Sequence, residues 1–473
     1  MKLIAGLDVG TTGCKVTVFT PDGKCLGREY ATYKTTRTSG VHEVDAAALA
    51  AGVKGVVDAA TAKFGHIDAM GVTSFGEAFV LTDGEGNPLR PILLCTDSRG
   101  AEEARAFAAS FGAERAARIS GVMPSESYSF PKMMWIKAHE PEVFARAKFA
   151  MLVEDYVIYL LTGERVIDHS LATRTGAFDI HRLEWSAEIL NAAGIPLSLF
   201  SKPVPAGTVA GVTPSGIKVV AAGHDQVACA VGAGAFEPGT AAEGAGTVEC
   251  VTPVFRDIPS GIGFQKDNYC VVPYFGNYVT YAFSHTGGEL LRWCADDICG
   301  RPHAELQSGT YDGPTGLLVL PYLAGAATPY MDSGAKGAIV GLTLGTKARE
   351  VYLACMEAVA YEMRLNMERL AASGVKFDRL VATGGGARSK LWMQMKSDVL
   401  GIPFDALEVE DAGTVGCAMM AGVACGAFRD LDEAKSVMVR KAGSFEPDAA
   451  RHARYAEVFE RYVKLYAAVR PLM

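Results

Sequence analysis

Leu3-Ile4-Ala5-Gly6-Leu7-Asp8-Val9-Gly10-Thr11-Thr12-Gly13-Cys14-Lys15 is the stretch on which the fold turns. An apolar run of strand character ends in a carboxylate and bends through glycines and threonines. It resumes as a second apolar run, Val16 to Phe19, closed by Pro21-Asp22-Gly23. The pattern predicts a β-hairpin whose turn carries backbone N–H groups, two hydroxyls and a lysine beside an acid. Such a turn either cradles a phosphate, with the acid facing its Mg²⁺, or is an ordinary polar hairpin. The stretch alone does not choose.

Working outward, the first half alternates strands and helices. A third strand is expected over Arg28–Lys34, an alanine-rich helix over Ala46–Phe64 and a buried strand over Ala69–Thr73. Phe79–Thr82 reads as a hairpin arm ending at Asp83-Gly84-Glu85-Gly86-Asn87-Pro88, and helices follow near Ala101–Ile119, Pro131–His139 and Val153–Leu161. This mix predicts a mixed sheet covered by helices. Lys218–Ala222 is a strand that runs into Gly223-His224-Asp225-Gln226, the start of a small-residue helix. Asp225 there is either a poised acid or an N-cap.

Phe236-Glu237-Pro238-Gly239 marks a candidate hinge or domain boundary. Beyond it the opening pattern returns more loosely: Thr240–Glu243 and Val248–Thr252 flank the turn Gly244-Ala245-Gly246-Thr247. A duplicated architecture is therefore expected, divided at 1–236 and 237–473. A long helix over Lys347–Ser373 precedes strand Asp378–Thr383, which enters Gly384-Gly385-Gly386-Ala387-Arg388-Ser389. Strand, three glycines and helix let a backbone approach a ligand closely, or simply make a tight turn. The last helix aligns Tyr455, Phe459, Tyr462 and Tyr466 on one packing face and is expected to reach back to the N-terminal domain.

The bulk numbers narrow the function classes. The 473 residues exceed one ordinary core. Net charge is −8, so the basic surface of a duplex nucleic-acid binder is missing. The 11 cysteines are an odd, scattered set without a C-x-x-C pair, which suits a reducing compartment. Asp8 breaks the N-terminal apolar run too early for a signal peptide, and no uncharged run is long enough for a bilayer. The expected setting is the cytoplasm, without a membrane or nucleic-acid partner. Gly341-Leu342-Thr343-Leu344-Gly345-Thr346-Lys347 has the composition of a P-loop but the wrong spacing, and no Rossmann fingerprint is complete.

Taken together, the motifs resemble the FGGY family of carbohydrate kinases, within the superfamily of actin, Hsp70 and hexokinase. The resemblance runs from Leu3 to about Phe428. It rests on Asp8-x-Gly10-Thr11-Thr12-x-x-Lys15, Asp97-x-Arg99, Gly223-x-Asp225, Gly246-Thr247, Pro321 to Pro329 and Gly384 to Ser389. Ser127–His139 and Gly337–Glu357 are similar to the family's two signature segments, departing at Ala138 and Cys355. Met123 to Trp135 and His139 to Phe144 are most similar to xylulose kinases. The substrate loop departs from them: Gly76-Glu77 stands where xylulose kinases carry Met-His and glycerol kinases Arg-Glu. Cys95, Ala326 and Ala327 replace further common residues.

The resemblance implies an α/β, two-domain actin/hexokinase/Hsp70-like fold of duplicated, ribonuclease H-like domains with a central cleft. It implies ATP-dependent phosphorylation of a sugar or polyol hydroxyl, a ketopentose such as xylulose first. Other sugars or polyols (glycerol, ribulose, fuculose or gluconate types), or an actin-like ATPase without a sugar, are the alternatives. Asp225 is implied as catalytic base, with Gly76, Glu77, Asp97 and Arg99 around the substrate. Asp8, Gly10, Thr11, Thr12, Lys15, Gly246 and Thr247 are implied around the phosphates of ATP, and Gly384, Gly385, Gly386 and Ser389 around its adenosine. Mg²⁺ is implied near Asp8 and Asp225, held through water. A homodimer is the expected assembly.

Overall fold

The computed structural model describes residues 2–408 and 411–473. The chain forms two compact units. One comprises Met1–Gly234, Cys270–Val279 and Asp411–Val439; the other comprises Ala235–Tyr269, Thr280–Glu410 and Arg440–Met473.

In the first unit the opening stretch is the expected hairpin. Strands Ile4–Val9 and Gly13–Phe19 pair antiparallel, with Asp8 opposite Lys15 and Val9 opposite Cys14. Cys25–Thr32 adds to the outer edge of the second strand. On the other side Ala69–Ser74 and then Lys218–His224 align parallel to the first, and Thr208–Val212 closes the sheet antiparallel. Strand Ile4–Val9 is apolar throughout its first four residues because this central position is covered on both faces.

Helix Ala46–Phe64 covers one face, capped by Asp45, whose carboxylate accepts from Ala47 N (2.8 Å) and Ala48 N (3.0 Å). Helix Ala412–Ala424, late in the chain, lies directly on the sheet backbone. A Cβ at Gly6 would meet Thr414 O at 2.1 Å, and one at Gly71 would meet Cys417 O at 2.3 Å. Glycine permits that approach, and the approach sets the residue before the helix, Asp411, beside the hairpin turn.

The second unit repeats the same strand order. Strands Gly239–Ala245 and Glu249–Phe255 form the hairpin, and Ala282–Ser284 adds to its second strand. Phe377–Thr383 and Phe404–Leu407 follow in parallel, and Lys441–Phe445 closes antiparallel. Helix Ala348–Ala372 is buried over most of its circumference, against Trp392, Phe404 and Tyr455. The terminal helix Ala449–Val469 belongs to this unit. It buries Tyr455, Phe459 and Tyr462, and the half-buried Tyr466 donates to Asp332.

The hairpin return after Phe79–Thr82 is present, with Asp83 N donating to Asn87 O (3.1 Å) and Leu89 N to Leu81 O (2.9 Å), and the strand also pairs along its other edge with Phe149–Leu152. Asp83 closes the turn by accepting from Glu85 N and Asn87 N. One local expectation needs correction. The helix over Ala101–Ile119 is interrupted by a π-turn at Ala108–Gly112, where Gly112 takes φ 96°.

Candidate active site

The hairpin turn is closed by Gly10 N donating to Gly13 O at 2.9 Å, and Tyr33 OH donates to Gly10 O. Thr11 is half-buried and Thr12 exposed, so both hydroxyls stand at the rim. The cross-strand pairing brings Lys15 Nζ to 3.0 Å from Asp8 Oδ2, and the same ammonium is 3.0 Å from Asp411 Oδ2. Burial, with the charges of Asp411 and Asp225 nearby, pushes the Asp8 carboxyl up to about 6 against the pull of Lys15. The turn thus joins hydroxyls, backbone amides and a lysine held between two acids. Sequence reasoning missed Asp411. Its signal was faint: an acid before the small-residue run Ala412-Gly413-Thr414.

Asp225 is the first residue of helix Asp225–Gly232, at the end of strand Lys218–His224. The capping bond goes to its neighbour: His224 Nδ1 accepts from Gln226 N at 3.2 Å. The backbone before Asp225 is pinned by buried groups. Gly223 N donates to Glu154 Oε1 (2.7 Å), His224 N donates to Ser170 Oγ (2.9 Å), and Thr73 Oγ1 donates to Gly223 O (2.6 Å). Ser170 Oγ in turn donates to Asp168 Oδ1. Burial and the adjacent Asp168 hold Glu154 well above the usual carboxylate range.

The Asp225 side chain keeps 36% of its exposure, yet its Oδ1 is buried 3.1 Å from His224 Nδ1 and has no hydrogen-bond partner among the described residues. An orphaned carboxylate oxygen is costly, and at a ligand site the ligand is its natural partner. Burial, reinforced by Glu77, raises Asp225 to about 7. That range suits a group that must take a proton near neutrality. Burial and Arg174 press His224 down to about 3, so it remains neutral.

Glu77 sits in left-handed backbone, φ 64°, unusual for a non-glycine residue. Ser129 Oγ donates to its carbonyl at 2.6 Å, and Arg174 Nε donates to its Oε1 at 2.6 Å. Strain of this kind is kept where the surroundings over-determine it, often at functional sites. Arg174 also escaped the sequence reading, since nothing in Thr173-Arg174-Thr175 signals its partner.

Asp97 and Arg99 are mainly engaged with each other. Asp97 is fully buried and accepts from His42 N, Arg99 N and Arg99 Nε at 2.8–3.0 Å. Arg99 reaches Glu43 at 2.6 Å and lies 5.3 Å from the centre of the Trp135 ring. Asp225 raises Asp8, and Glu77 and Arg174 act on Asp225, so those residues form one electrostatic set. Buried Lys132 feels both Asp97 and Glu77, so the Asp97–Arg99 clasp adjoins this set.

In the second unit, Gly246 and Thr247 form an exposed turn. Their carbonyls accept from Gly288 N (2.8 Å) and Gly287 N (2.9 Å). At the triple glycine, a Cβ on Gly384 would meet Ala245 O at 2.8 Å, and one on Gly386 would meet Trp392 at 2.7 Å. Packing alone demands those two glycines. Gly385 is exposed, its nearest neighbour being Arg388 Nη2 at 3.8 Å, and it is the one whose side-chain space is open. Ser389 caps helix Lys390–Leu400 and donates to Gln307 Oε1 at 2.7 Å.

Among the described residues no helix is long and apolar enough to cross a membrane. The N-terminal domain model of the FGGY family of carbohydrate kinases matches residues 3–232, and its C-terminal domain model matches residues 273–425. The chain is similar to a xylulose kinase of Bacillus subtilis (strain 168), 27% identical over 503 residues, covering 100% of this chain and 98% of that protein. A glycerol kinase of Symbiobacterium thermophilum is 29% identical over 457 residues, covering 91% of each. The crystal structure of a xylulose kinase from Rhodospirillum rubrum superposes with a TM-score of 0.90 at 26% identity, covering 100% of this chain and 99% of that one. The repeated hairpin sheets, the poised Asp225 and the two matched domain models agree: the chain belongs to the FGGY family of carbohydrate kinases and is a phosphotransferase acting on an alcohol group.

Proposed function

We propose that this chain transfers the γ-phosphoryl group of ATP to a hydroxyl of a ketopentose such as xylulose, with Asp225 as the general base. The observation that carries the reading is the buried Asp225 Oδ1, beside the His224 ring and without a hydrogen-bond partner among the described residues, on a carboxyl raised to about 7 by burial and Glu77. Asp225 accepts the proton of the attacking alcohol as its oxygen bonds to phosphorus and ADP departs. Phosphoryl transfer otherwise asks the protein for positioning and charge neutralisation. Lys15, Thr11, Thr12 and the Gly10–Gly13 amides receive the phosphates, aided by Gly246 and Thr247, while Gly385 and Ser389 border the adenosine.

The oxygen donors present suit Mg²⁺, a hard cation that keeps several waters. Asp8, whose carboxylate meets Lys15 at 3.0 Å, and Asp225, whose Oδ1 lacks a hydrogen-bond partner among the described residues, would hold it through water. Bound there, Mg²⁺ neutralises the phosphate charge. Glu77 with a guanidinium at its side favours a second reading, a smaller polyol such as glycerol.

Purified protein with MgATP and D-xylulose, D-ribulose, L-fuculose, glycerol or D-gluconate tests the proposal through ADP release. Release that depends on one of these alcohols is expected. Release indifferent to all of them would mark an ATPase without a sugar acceptor.

A further inference from the structure

We propose that Cys294 and Cys299 form an oxidation site, closing as an intramolecular disulfide by exchange with a low-molecular-weight disulfide such as oxidised glutathione, and that closure weakens ATP binding. The disulfide is independent of the kinase reading above; its effect on ATP rests on that reading.

Both cysteines belong to the second unit. Helix Gly288–Trp293 runs into a π-turn, Cys294–Cys299, and the two thiols stand at its ends. In a regular α-helix, residues five apart face about 140° away from each other. The wider π-turn, bonded between residues five apart, brings them to one side. Cys294 Sγ and Cys299 Sγ lie 3.8 Å apart, so a disulfide needs about 1.8 Å of further approach. The end of the turn is free to supply it. Cys299 is half-buried and precedes Gly300, an exposed residue at φ 61° with open space where a Cβ would stand. A third thiol, Cys355, is hydrogen-bonded to Cys294, but it is buried in the interior of the regular helix Ala348–Ala372 and lacks that freedom.

The exchange balances without a cofactor. The Cys299 thiolate attacks one sulfur of oxidised glutathione and releases the first glutathione thiolate, which takes up a proton. Cys294 loses its proton to solvent, attacks the Cys299 sulfur and expels the second glutathione. Two protein thiols are oxidised as one glutathione disulfide is reduced to two thiols. Burial and Cys294 push the Cys299 thiol up to about 11, and Cys355 and burial raise Cys294. The exchange is therefore slow at neutral pH and quickens as pH rises.

The product carries no S–H. Cys299 Sγ donates to the carbonyl of Ala348 (3.4 Å), the first residue of helix Ala348–Ala372, and closure deletes that bond. One turn along the same helix, Tyr352 OH meets His303 Nδ1 (2.7 Å) and accepts from Gln307 Nε2 (3.0 Å). Gln307 Oε1 in turn accepts from Ser389, the residue read above as bordering the adenosine. The π-turn and the segment after it thus hold one helix end, and through Gln307 they reach the nucleotide side.

The test treats the full-length wild type and Cys299→Ser with oxidised glutathione at about pH 8.5. Cleavage before Asp296 and Asp297 separates the two cysteines, so a disulfide leaves two peptides joined until dithiothreitol is added. Joined peptides are expected in the wild type only, with exposed Cys25 reporting that the oxidant acted. Oxidation should raise KM for ATP by about fivefold or more, reversibly with dithiothreitol, while KM for the alcohol holds within about twofold. Cys299→Ser, which keeps a hydroxyl donor for Ala348, should match the reduced wild type with or without oxidant. Modified Cys25 without a Cys294–Cys299 link, a link from Cys294 to Cys355 instead, a link that leaves KM for ATP unchanged, or an equal rise in Cys299→Ser would each overturn the proposal. ADP release indifferent to every alcohol in the reduced protein would overturn the kinase reading itself, and the joined peptides would still decide the disulfide.

Discussion

The two hairpins share a topology but treat charge in opposite ways. In the first unit, Asp8 and Lys15 face each other across the strands at 21% and 28% exposure, and Asp411 completes the set. In the second, Glu243 and Glu249 flank the turn and both close on Lys396, whose side chain is fully buried 4.0 Å from the Trp392 ring centre. Burial, opposed by Lys396 and helped by Glu243, holds Glu249 well above the carboxylate range. One turn leaves its charges where a ligand can reach them; the other seals them as a brace. The same strand order therefore leaves charge accessible in one place and buries it in the other.

The sharpest break in that comparison is Asp225→Asn, which should lower turnover by about 10²–10⁴ without loss of stability by urea unfolding. Its linkage sign is defined. The folded carboxyl keeps its proton to about 7, against 3.8 for the unfolded group. The wild type therefore loses stability relative to the asparagine variant as pH rises from about 4 to 7. Lys396→Met should do the reverse. Leaving two buried glutamates without their cation should cost about 3–5 kcal/mol in urea unfolding, though this lysine takes no part in the proposed chemistry.

Lys15→Met, at the open hairpin, should cost less than about 1 kcal/mol of stability. Losing a charge-assisted phosphate contact should lower kcat/KM for ATP by about 10–100-fold. The smallest effect is expected at the triple glycine. Gly385→Ala should raise KM for ATP by about tenfold while stability stays within about 0.5 kcal/mol. Gly384→Ala, with φ 87° and an oxygen 2.8 Å from the new Cβ, should instead unfold more readily.

Much of this was legible before any coordinates. The hairpin turn, helix Ala46–Phe64 and the second hairpin follow from local pattern, caps and turn residues, and local pattern is what sequence displays. Asp225 was legible because its strand, small residues and helix are contiguous. Arg174 and Asp411 were not, because each reaches its partner through tertiary placement: Arg174 fills space that Gly76 leaves, and Asp411 rides a helix from the far end of the chain. The strand Phe79–Thr82 shows the same limit, since its partner Phe149–Leu152 lies beyond four α-helices in sequence. For the glycines at 384 and 386, ligand approach and internal packing leave the same mark in a sequence, and the structure supplies the packing reason.

The most direct measurement is the pH dependence of kcat/KM for the preferred alcohol in the wild-type protein. A base at about 7 predicts a rate that climbs with pH below that point and levels above it. A profile flat from about pH 5.5 to 8 would contradict Asp225 as the group that takes the proton.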